Sequence, residues 1–549
     1  MRNTAGRLSG VGFCLFLCGC LNAHTELAPA SAGGNAWQEL DSDHFRVVTD
    51  LKERDAVNVL AEYEHVYDLL VAATHVSEAG GSTAEPSFET QSIVFRSYDE
   101  LQPFVPAQIV GQYRSVLPND IEGVPTILAS GTVSPFGRVT LAHELAHRFN
   151  HVALGTMPVW LNEGLAQYYS TIRGDVAHPV VGESDPDNVA ASGSVRHSPG
   201  DMVFQGELIH AAALPKASQL LGLDSDGFYA ESGQNRVPLT YEAKNTQTRN
   251  YAASWMLVHM LLHEQTDYAV RFRELLEAPD GLGTGQALQG VLENVDASRL
   301  DRDFHAYLQK DIPWRQYHAG LSPRPRLTNR GLSDAEVLLW WARLDSFTGD
   351  DSARATKRLN DAQKANQADA DVQFWLGRKA ARDGNFVAAA ESYEHAAQAA
   401  PDRPEFLLGL VTVYESNATK SVWPDRQQRL DQALARLSPI AASPMQFNVL
   451  AMQALFAHDA AKAAQLAERA RHVGPDCWQC WHTAAAAAAV GGDTRHSVEF
   501  EHVALARAPE DLSVSALRVL QDALRFYERI AHKTDAAERL TLPPLFMPE

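Results

Sequence analysis

Cysteine is scarce in this chain: there are five in 549 residues, three of them among the first twenty. So few thiols exclude a disulfide-stapled scaffold, and the fold must depend on a hydrophobic core. A basic excess is also absent, because 68 acidic residues outnumber 47 Lys and Arg and give a formal charge of −21. Such a surface repels phosphate backbones, which argues against nucleic-acid binding. After the N-terminal segment no apolar run is long enough for a transmembrane helix.

What is present is ordinary globular composition, with 45% hydrophobic and 21% charged residues. At about 150 residues per domain, a chain of this length holds roughly three to four domain-sized units. Strand-like patterns disappear beyond a segment that contains Pro323, Pro325 and Gly331. We predict an α+β domain over 37–313, a linker over 314–333, helical repeats over 334–511, and a C-terminal helix and tail over 512–549.

Local patterns place several elements inside the predicted α+β domain. β-type runs predict strands and helical spacing of apolar residues predicts helices. The predicted strands cover 44–49, 91–96 and 125–130, and the predicted helices cover 56–73, 138–150, 159–169 and 249–263.

The first twenty residues are typical of an export signal. Arg2 and Arg7 flank a short apolar run that ends in Leu17-Cys18-Gly19-Cys20. This ending resembles the lipobox of bacterial lipoproteins, and the resemblance implies that Cys20 is lipidated and becomes the first residue of the mature protein. Residues 1–19 would then be the signal peptide and 20–36 a tether rich in small and polar residues. The alternative is a plain secretory signal that is cut near Ala23.

A lipid on Cys20 would be the protein's membrane attachment. Leu21 follows Cys20, so the Asp that suggests inner-membrane retention is absent from that position. The expected location is therefore the bacterial cell envelope, at the outer membrane and facing the periplasm.

The Ala-rich C-terminal half contains a repeat with a period of about 34 residues. In a unit that begins at Ala370, small residues fall at Gly377, Ala389 and Ala396. This pattern resembles the tetratricopeptide repeat (TPR), in which small residues allow paired helices to approach closely. Units in the same phase begin at 336, 444 and 478, while the segment 404–443 is six residues too long, with the excess expected around 416–423. The resemblance implies a solenoid whose groove binds protein partners; generic helical hairpins are the alternative.

The sharpest chemical motif is His143-Glu144-Leu145-Ala146-His147. On a helix, residues four apart differ by about 40° in direction, so both imidazoles can reach one metal ion. Glu144 lies on an adjacent face, where its carboxylate can take a proton from a metal-activated water.

The third ligand has two candidates. His151 lies on the same face as His143, but a continuous helix would place it about 12 Å further along the axis, too far to share an ion. Glu163 follows a turn near Gly155, and Pro158 can open a second helix that brings its carboxylate back over the first. Two His and one Glu with an open position form a catalytic zinc arrangement.

The motif HELAH followed by WLNEGLA resembles the gluzincin metallopeptidases, and in style the bacterial peptidase MA-like group. The resemblance implies a zincin-like fold over 37–313, with His143, His147 and Glu163 as Zn²⁺ ligands and Glu144 as general base. The segment from Asn250 to Val258 resembles the helix that supplies an oxyanion-binding Tyr in the aminopeptidase N branch. Tyr251 is the corresponding residue; the alternative for it is a core Tyr.

The sequence also departs from that family. The aminopeptidase branch has an acidic residue before its first His that binds the substrate's free amine, whereas the strand 126–131 has none. An aminopeptidase activity is therefore unsupported, although an edge strand there could hold an extended peptide through main-chain bonds. The interval from His147 to Glu163 is a few residues shorter than in the named enzymes. Gln167, one turn past Glu163, is a candidate to orient a ligand His.

Cys477 and Cys480 are the remaining cysteines outside the signal. Their spacing in a predicted repeat helix favours a structural pair, either oxidised or buried, and a zinc site with His472 and His482 is the weaker alternative.

Two functions follow. The first is an envelope zinc metallopeptidase that cleaves protein or peptide substrates, with its repeats recruiting partners. The second is a non-catalytic lipoprotein scaffold with a degenerate peptidase domain.

Overall fold

A computed structural model of the chain describes most of the sequence beyond the predicted signal peptide. The described residues are 28–74, 90–105, 111–114, 126–131, 135–182, 195–198, 201–204, 207–229, 241–277, 285–317, 326–347, 352–475, 477–508, 512–531 and 545. The predicted signal peptide 1–19 and the lipidation site Cys20 lie outside them.

All strands of the described residues lie in the first 331 positions of the chain. They are β1 (Gln38–Asp41), β2 (Phe45–Thr49), β3 (Thr90–Phe95), β4 (Gly111–Arg114), β5 (Thr126–Ser130), β6 (Val180–Val181), β7 (Val195–Ser198), β8 (Asp201–Phe204), β9 (Glu207–His210), β10 (Arg315–Gln316) and β11 (Thr328–Gly331).

Helices run through the whole described chain and are the only regular elements after β11 there. Those of the first part are α1 (Glu53–Thr74), α2 (Tyr98–Leu101), α3 (Pro135–Leu154), α4 (Val159–Tyr169), α5 (Ala217–Leu220), α6 (Ser225–Phe228), α7 (Tyr241–His263), α8 (Asp267–Leu276), α9 (Gly285–Glu293) and α10 (Ala297–Tyr307). Those of the second part are α11 (Asp334–Phe347), α12 (Ser352–Ala365), α13 (Ala370–Arg382), α14 (Phe386–Ala399), α15 (Pro404–Glu415), α16 (Arg426–Leu437), α17 (Pro444–Phe456), α18 (Ala460–Val473), α19 (Trp478–Val490), α20 (Thr494–Arg507) and α21 (Val514–Ala531).

The main sheet is mixed, with the strand order β11-β1-β2-β3-β5-β4. The central strands β2, β3 and β5 are parallel, while β1, β4 and β11 pair in the antiparallel sense. β4 pairs along β5, with Gly111 opposite Ala129 and Arg114 opposite Thr126. The expectation of an edge strand at 126–131 was therefore wrong, because β4 covers that side and is itself the outer strand.

Alternating side chains of the central strands enter two different hydrophobic cores, as the two-residue period of a strand requires. Val47, Val94 and Ile127 pack in the larger core with α1, α3, α4 and α7. The neighbouring residues Val48, Ile93 and Leu128 pack on the opposite face. The sheet thus has buried faces on both sides, which fits its apolar central strands.

Helix α11 covers the second face of the sheet. Trp341 is 1% exposed, and its ring centroid lies 4.7 Å from that of Trp37 and 6.1 Å from that of Phe95. β11, inside the predicted linker 314–333, joins the sheet through β1. The predicted linker therefore contributes an exposed strand to the sheet, and the first predicted repeat helix takes part in the core of the first part of the chain.

The second part is all-helical in the described residues and is built from helix pairs. α11 contacts α12, and the same pairing recurs in α13–α14, α15–α16, α17–α18 and α19–α20. Helices α13, α17 and α19 begin at Ala370, Pro444 and Trp478, which are three of the predicted starts of repeat units. A Cβ on Gly377 would lie 2.7 Å from the Tyr393 ring, so the small residue permits a close helix approach.

Among the described residues, none of the helices is both long and apolar enough to cross a membrane. Cys477 and Cys480 form a disulfide at the start of α19. His482, a candidate zinc partner for these cysteines, instead has Nδ1 2.9 Å from both carboxylate oxygens of Glu501.

Candidate metal centre

Helix α3 carries the two imidazoles. Leu145, Ala146 and Phe149 are at most 1% exposed and anchor the helix in the larger core. His143 and His147 lie on the face turned toward α4, one helical turn apart, with their Nε2 atoms separated by 3.1 Å. α3 continues without a break to Leu154, so His151 stays a further turn along the axis, as the spacing argument required.

Helix α4 supplies the carboxylate. Pro158 is its N-cap residue, and only residues 155–158 separate it from α3. Glu163 lies on the inner face, where its Oε2 is 3.3 Å from His143 Nε2 and 3.6 Å from His147 Nε2. The structure thus brings together the three side chains that the sequence assigned as ligands, with one donor atom from each within 4.8 Å of the others.

Packing against α7 holds α4 in this position. A Cβ on Gly164 would lie 2.7 Å from the main-chain oxygen of Ser254 and 2.7 Å from Val258 Cγ2. Glycine at this site therefore allows the backbone of α4 to lie directly against the Ser254 backbone and the Val258 side chain of α7. Because Glu163 is next to Gly164, the same packing positions its carboxylate beside the two imidazoles.

Two further side chains orient the ligands. Asn162 Oδ1 lies 2.9 Å from His147 Nδ1, which leaves Nε2 of that ring directed at Glu163. The Tyr229 hydroxyl donates to Glu163 Oε1 at 2.5 Å. Each contact occupies the outer atom of a ligand and leaves the inner atom for an ion, as in many protein zinc sites.

The Glu163 carboxylate is ionised at neutral pH. Burial raises its pKa, but the charges of His147 and His143 outweigh burial and bring the pKa to about 2. Its Oε2 is buried, and the Nε2 atoms of His143 and His147 lie 3.3 Å and 3.6 Å from it. A buried, charged oxygen beside two imidazole nitrogens is a site that a cation would stabilise.

Glu144 directly follows His143 on α3, and Tyr251 is close enough to Glu163 and Glu144 for their charges to act on it. Burial raises the pKa of Tyr251 well above its ordinary value, and the negative charges of Glu163 and Glu144 raise it further. Tyr251 is also hydrogen-bonded to Tyr229, and its ring lies 5.3 Å from that of Phe228. The two tyrosines therefore remain protonated, and the Tyr229 hydroxyl donates to a candidate ligand, Glu163.

The donor set fits zinc. Two imidazole nitrogens and one carboxylate oxygen are the protein ligands of one class of catalytic zinc sites, which keep a further position for water or substrate. Imidazole is a ligand that Zn²⁺ accepts and that Mg²⁺ and Ca²⁺ do not favour. His143, His147 and Glu163 would hold the ion.

Sequence reasoning missed Asn162 and Tyr229. Asn162 directly precedes Glu163 and could have been found as a side chain on the turn of α4 that faces α3. Tyr229 lies 66 residues after Glu163, and no spacing rule connects the two. Gln167, proposed as the orienting residue, is buried with its amide nitrogen unbonded among the described residues, so Asn162 takes that position instead.

Comparison with known proteins adds no family to this geometry. No protein-family model matches the chain, and no curated protein matches its sequence.

Proposed function

We propose that this protein is a zinc-dependent metallopeptidase. The observation that carries the proposal is the convergence of His143, His147 and Glu163 on one point, with Glu144 on the same helix as the two histidines. The first part of the chain would then have a zincin-like fold of the gluzincin type. A carboxylate next to a three-ligand site is the arrangement needed to hydrolyse a peptide bond.

Each residue has a role in that reaction. A bound zinc would supply Lewis acidity toward the scissile carbonyl. Glu144 accepts the proton of the attacking water and returns it to the leaving amine. Tyr251, whose raised pKa keeps it protonated, donates a hydrogen bond to the oxyanion. Tyr229 and Asn162 hold Glu163 and His147 in orientation.

The substrate is a protein or peptide in extended conformation. β4 ends the main sheet and contacts α3, the helix of the two histidines. An extended chain can add to an outer strand through main-chain hydrogen bonds. We assign this role to β4 and not to residues 126–131, because β5 is already paired with a strand on each side.

The helix pairs of the second part would form a TPR solenoid that recruits protein partners or substrates. Support comes from the agreement between the repeat phase and the helix starts at Ala370, Pro444 and Trp478. The N-terminal motif supports lipidation at Cys20 and a location in the bacterial cell envelope, with the protein facing the periplasm from the outer membrane.

The test begins with zinc content. A chain that starts at Leu21 is purified as wild type, Glu163→Ala and Glu144→Gln, and zinc per chain is measured beside cleavage of a protein substrate such as casein. We expect about one zinc in the wild type and in Glu144→Gln, and much less in Glu163→Ala. Cleavage should require both glutamates.

Two outcomes would contradict the proposal. A well-folded wild type without zinc would favour the non-catalytic scaffold, in which the helix pairs are the functional part. Full activity of Glu144→Gln would exclude the proposed general base.

A further inference from the structure

The turn between the two ligand-bearing helices contacts the C-terminal end of α20, in the helical region formed by α11 to α21. The Thr156 main-chain nitrogen donates to the Ala506 carbonyl at 2.9 Å, and its hydroxyl donates to the Ala508 carbonyl at 2.5 Å. Arg507 Nη2 donates to the carbonyl of Val152, near the end of α3, at 3.4 Å. These bonds connect residues 350 or more positions apart in the chain, so the α19–α20 pair contacts the turn that joins the two ligand-bearing helices.

The approach is close enough to require glycine. Gly155 has a φ of +68°, in the left-handed region, and a Cβ there would lie 2.7 Å from the Ala506 oxygen. Arg507 and Ala508 are each 6% exposed. The turn and the end of α20 therefore form a buried interface and not a loose surface contact.

The α3–α4 turn and the end of α20 supply hydrogen-bond partners to each other. The last carbonyls of an α-helix have no partner within the helix. Ala506 lies in the last turn of α20, and Thr156 supplies the donor that its carbonyl needs. In return, the end of α20 holds the four-residue turn 155–158 in one conformation.

That turn determines the distance between the ligands. His143 and His147 lie on α3, before the turn, and Glu163 lies on α4, after it. A change in the angle between these helices would move the Glu163 carboxylate relative to the imidazoles. Metal affinity is sensitive to such changes in ligand geometry.

We propose that the C-terminal end of α20 is a positioning element of the metal centre, acting through Thr156 in the α3–α4 turn. The inference rests on the proposed zinc site. It gives the helical region a second role, since its last pair holds the site in shape in addition to binding partners.

The experiment measures zinc affinity in the full mature chain by competition with a chromophoric chelator. Thr156→Val keeps the shape of the side chain but removes the bond to Ala508, and Thr156→Ser retains the hydroxyl. We expect the zinc Kd of Thr156→Val to rise about 3- to 10-fold, the effect of losing one buried hydrogen bond. Thr156→Ser should stay near the wild type. The Co²⁺-substituted Thr156→Val protein should show an altered visible absorption spectrum.

Thr419→Val is the matched control. Thr419 is fully buried, and its hydroxyl lies 3.0 Å from the Val413 oxygen and 2.8 Å from the Ser416 oxygen, within the helical region. It should lose stability without a change in zinc Kd. Arg507→Met, which removes the bond to Val152, is a second variant and should also weaken zinc binding if Thr156→Val does not fold.

The outcomes separate the two proposals. A wild type that binds zinc, with the same Kd and Co²⁺ spectrum in Thr156→Val and Arg507→Met, would overturn the positioning role alone. An equal loss of affinity in Thr419→Val would also overturn it, since the effect would then be global. A folded wild type without zinc would overturn the metal centre itself.

Discussion

Tyr229 connects the candidate metal ligands to the interior of the protein. Its hydroxyl donates to Glu163 Oε1 at 2.5 Å, and its ring centroid lies 6.3 Å from that of Tyr251. Burial and the charge of Glu163 raise its pKa well above the ordinary value. The residue therefore acts as a fixed donor that holds the ligand carboxylate with Oε2 toward the histidines.

Tyr229→Phe should weaken zinc binding without unfolding the protein. Loss of a partner of a ligand typically costs about 10- to 100-fold in metal affinity, and we expect a rise of the zinc Kd within that range. Chelator competition gives the measurement. Tyr268→Phe is the control, because its hydroxyl also donates to a carboxylate, that of Asp303 at 3.0 Å. A zinc Kd that changes equally in both variants would contradict the role of Tyr229.

The sequence could predict contacts between site residues that are close along the chain, but not contacts between residues far apart in it. His143 and His147 could be paired because helical periodicity places residues four apart on one face. Glu163 could be added because the turn that precedes it is short. Tyr229 reaches the site only through the packing of α6 against α4 and α7. Sequence periodicity carries no information about such a contact.

His263, a partly buried histidine outside the candidate metal centre, has a lowered pKa. His263, at the end of α7, has Nε2 3.1 Å from the Tyr168 hydroxyl and its ring 4.4 Å from that of His259. Burial and the adjacent His259 lower its pKa, and the charges of Arg315 and Arg273 act in the same direction. The pKa is about 2, against an ordinary 6.5.

Acid should therefore destabilise the wild type more than His263→Gln. Below about pH 6.5 the unfolded chain binds a proton at His263 that the folded chain does not, so stability is lost as the pH falls. Between pH 7 and 5 the wild type should lose up to about 2 kcal/mol more than the variant. Urea unfolding followed by tryptophan fluorescence at both pH values measures this. Equal losses would show that His263 titrates normally in the folded chain.

At the scale of elements, the contact between α4 and α7 determines the position of the Glu163 carboxylate. Gly164→Ala would place a methyl group 2.7 Å from the Ser254 oxygen, so the helices must separate. Overpacking of this kind costs about 1–3 kcal/mol. We expect a lower unfolding midpoint in urea together with weaker zinc binding, because Glu163 precedes the altered residue.

Gly290→Ala is the matched control for this prediction. Gly290 lies inside α9, and nothing lies within 4 Å of the position that its Cβ would occupy. Replacing glycine in a helix interior by alanine adds about 0.5–1 kcal/mol of stability. The two Gly→Ala changes should therefore shift the urea midpoint in opposite directions. A destabilised Gly290→Ala, or an unaffected Gly164→Ala, would contradict the packing argument.

The elements differed in how well the sequence predicted them. The helices α1, α3, α4 and α7 and the strands β2, β3 and β5 coincide with predicted segments, because apolar residues recur in them at the period of the element. β4 and β11 could not be predicted in this way. β11 reads Thr-Asn-Arg-Gly and is exposed along its length; it is a strand because it pairs with β1, nearly 300 residues away.

At the scale of the whole molecule, the helical region (α11 to α21) is attached to the first part at two places, through α11 at its start and through the end of α20, the helix before its last one. α11 begins the region and packs on the sheet through Trp341, and the end of α20 holds the α3–α4 turn. The domain boundary predicted between residues 333 and 334 would assign α11 to a different domain from the sheet that it covers. Compositional change marks where strands give way to helices, but it does not reveal which helix completes the core of the sheet.

Trp341→Ala should therefore weaken both parts of the molecule together. Trp341 is 1% exposed and lies against Trp37 and Phe95, and its truncation should cost about 3–5 kcal/mol through lost contacts and the cavity left behind. Amide hydrogen exchange should become faster in β2 and β3 as well as in α12, because α11 packs on the sheet and on α12.

Phe456→Ala tests whether this effect is specific to the shared core. Phe456 is also an aromatic residue of the helical region, but it is 56% exposed at the end of α17, so its loss should change neither stability nor exchange by a comparable amount. If Trp341→Ala accelerated exchange in α12 and left β2 and β3 protected, the two parts would unfold independently. Faster exchange in all three elements would show that α11 belongs to both parts, and that the helical region does not unfold separately from the part that carries the candidate metal centre.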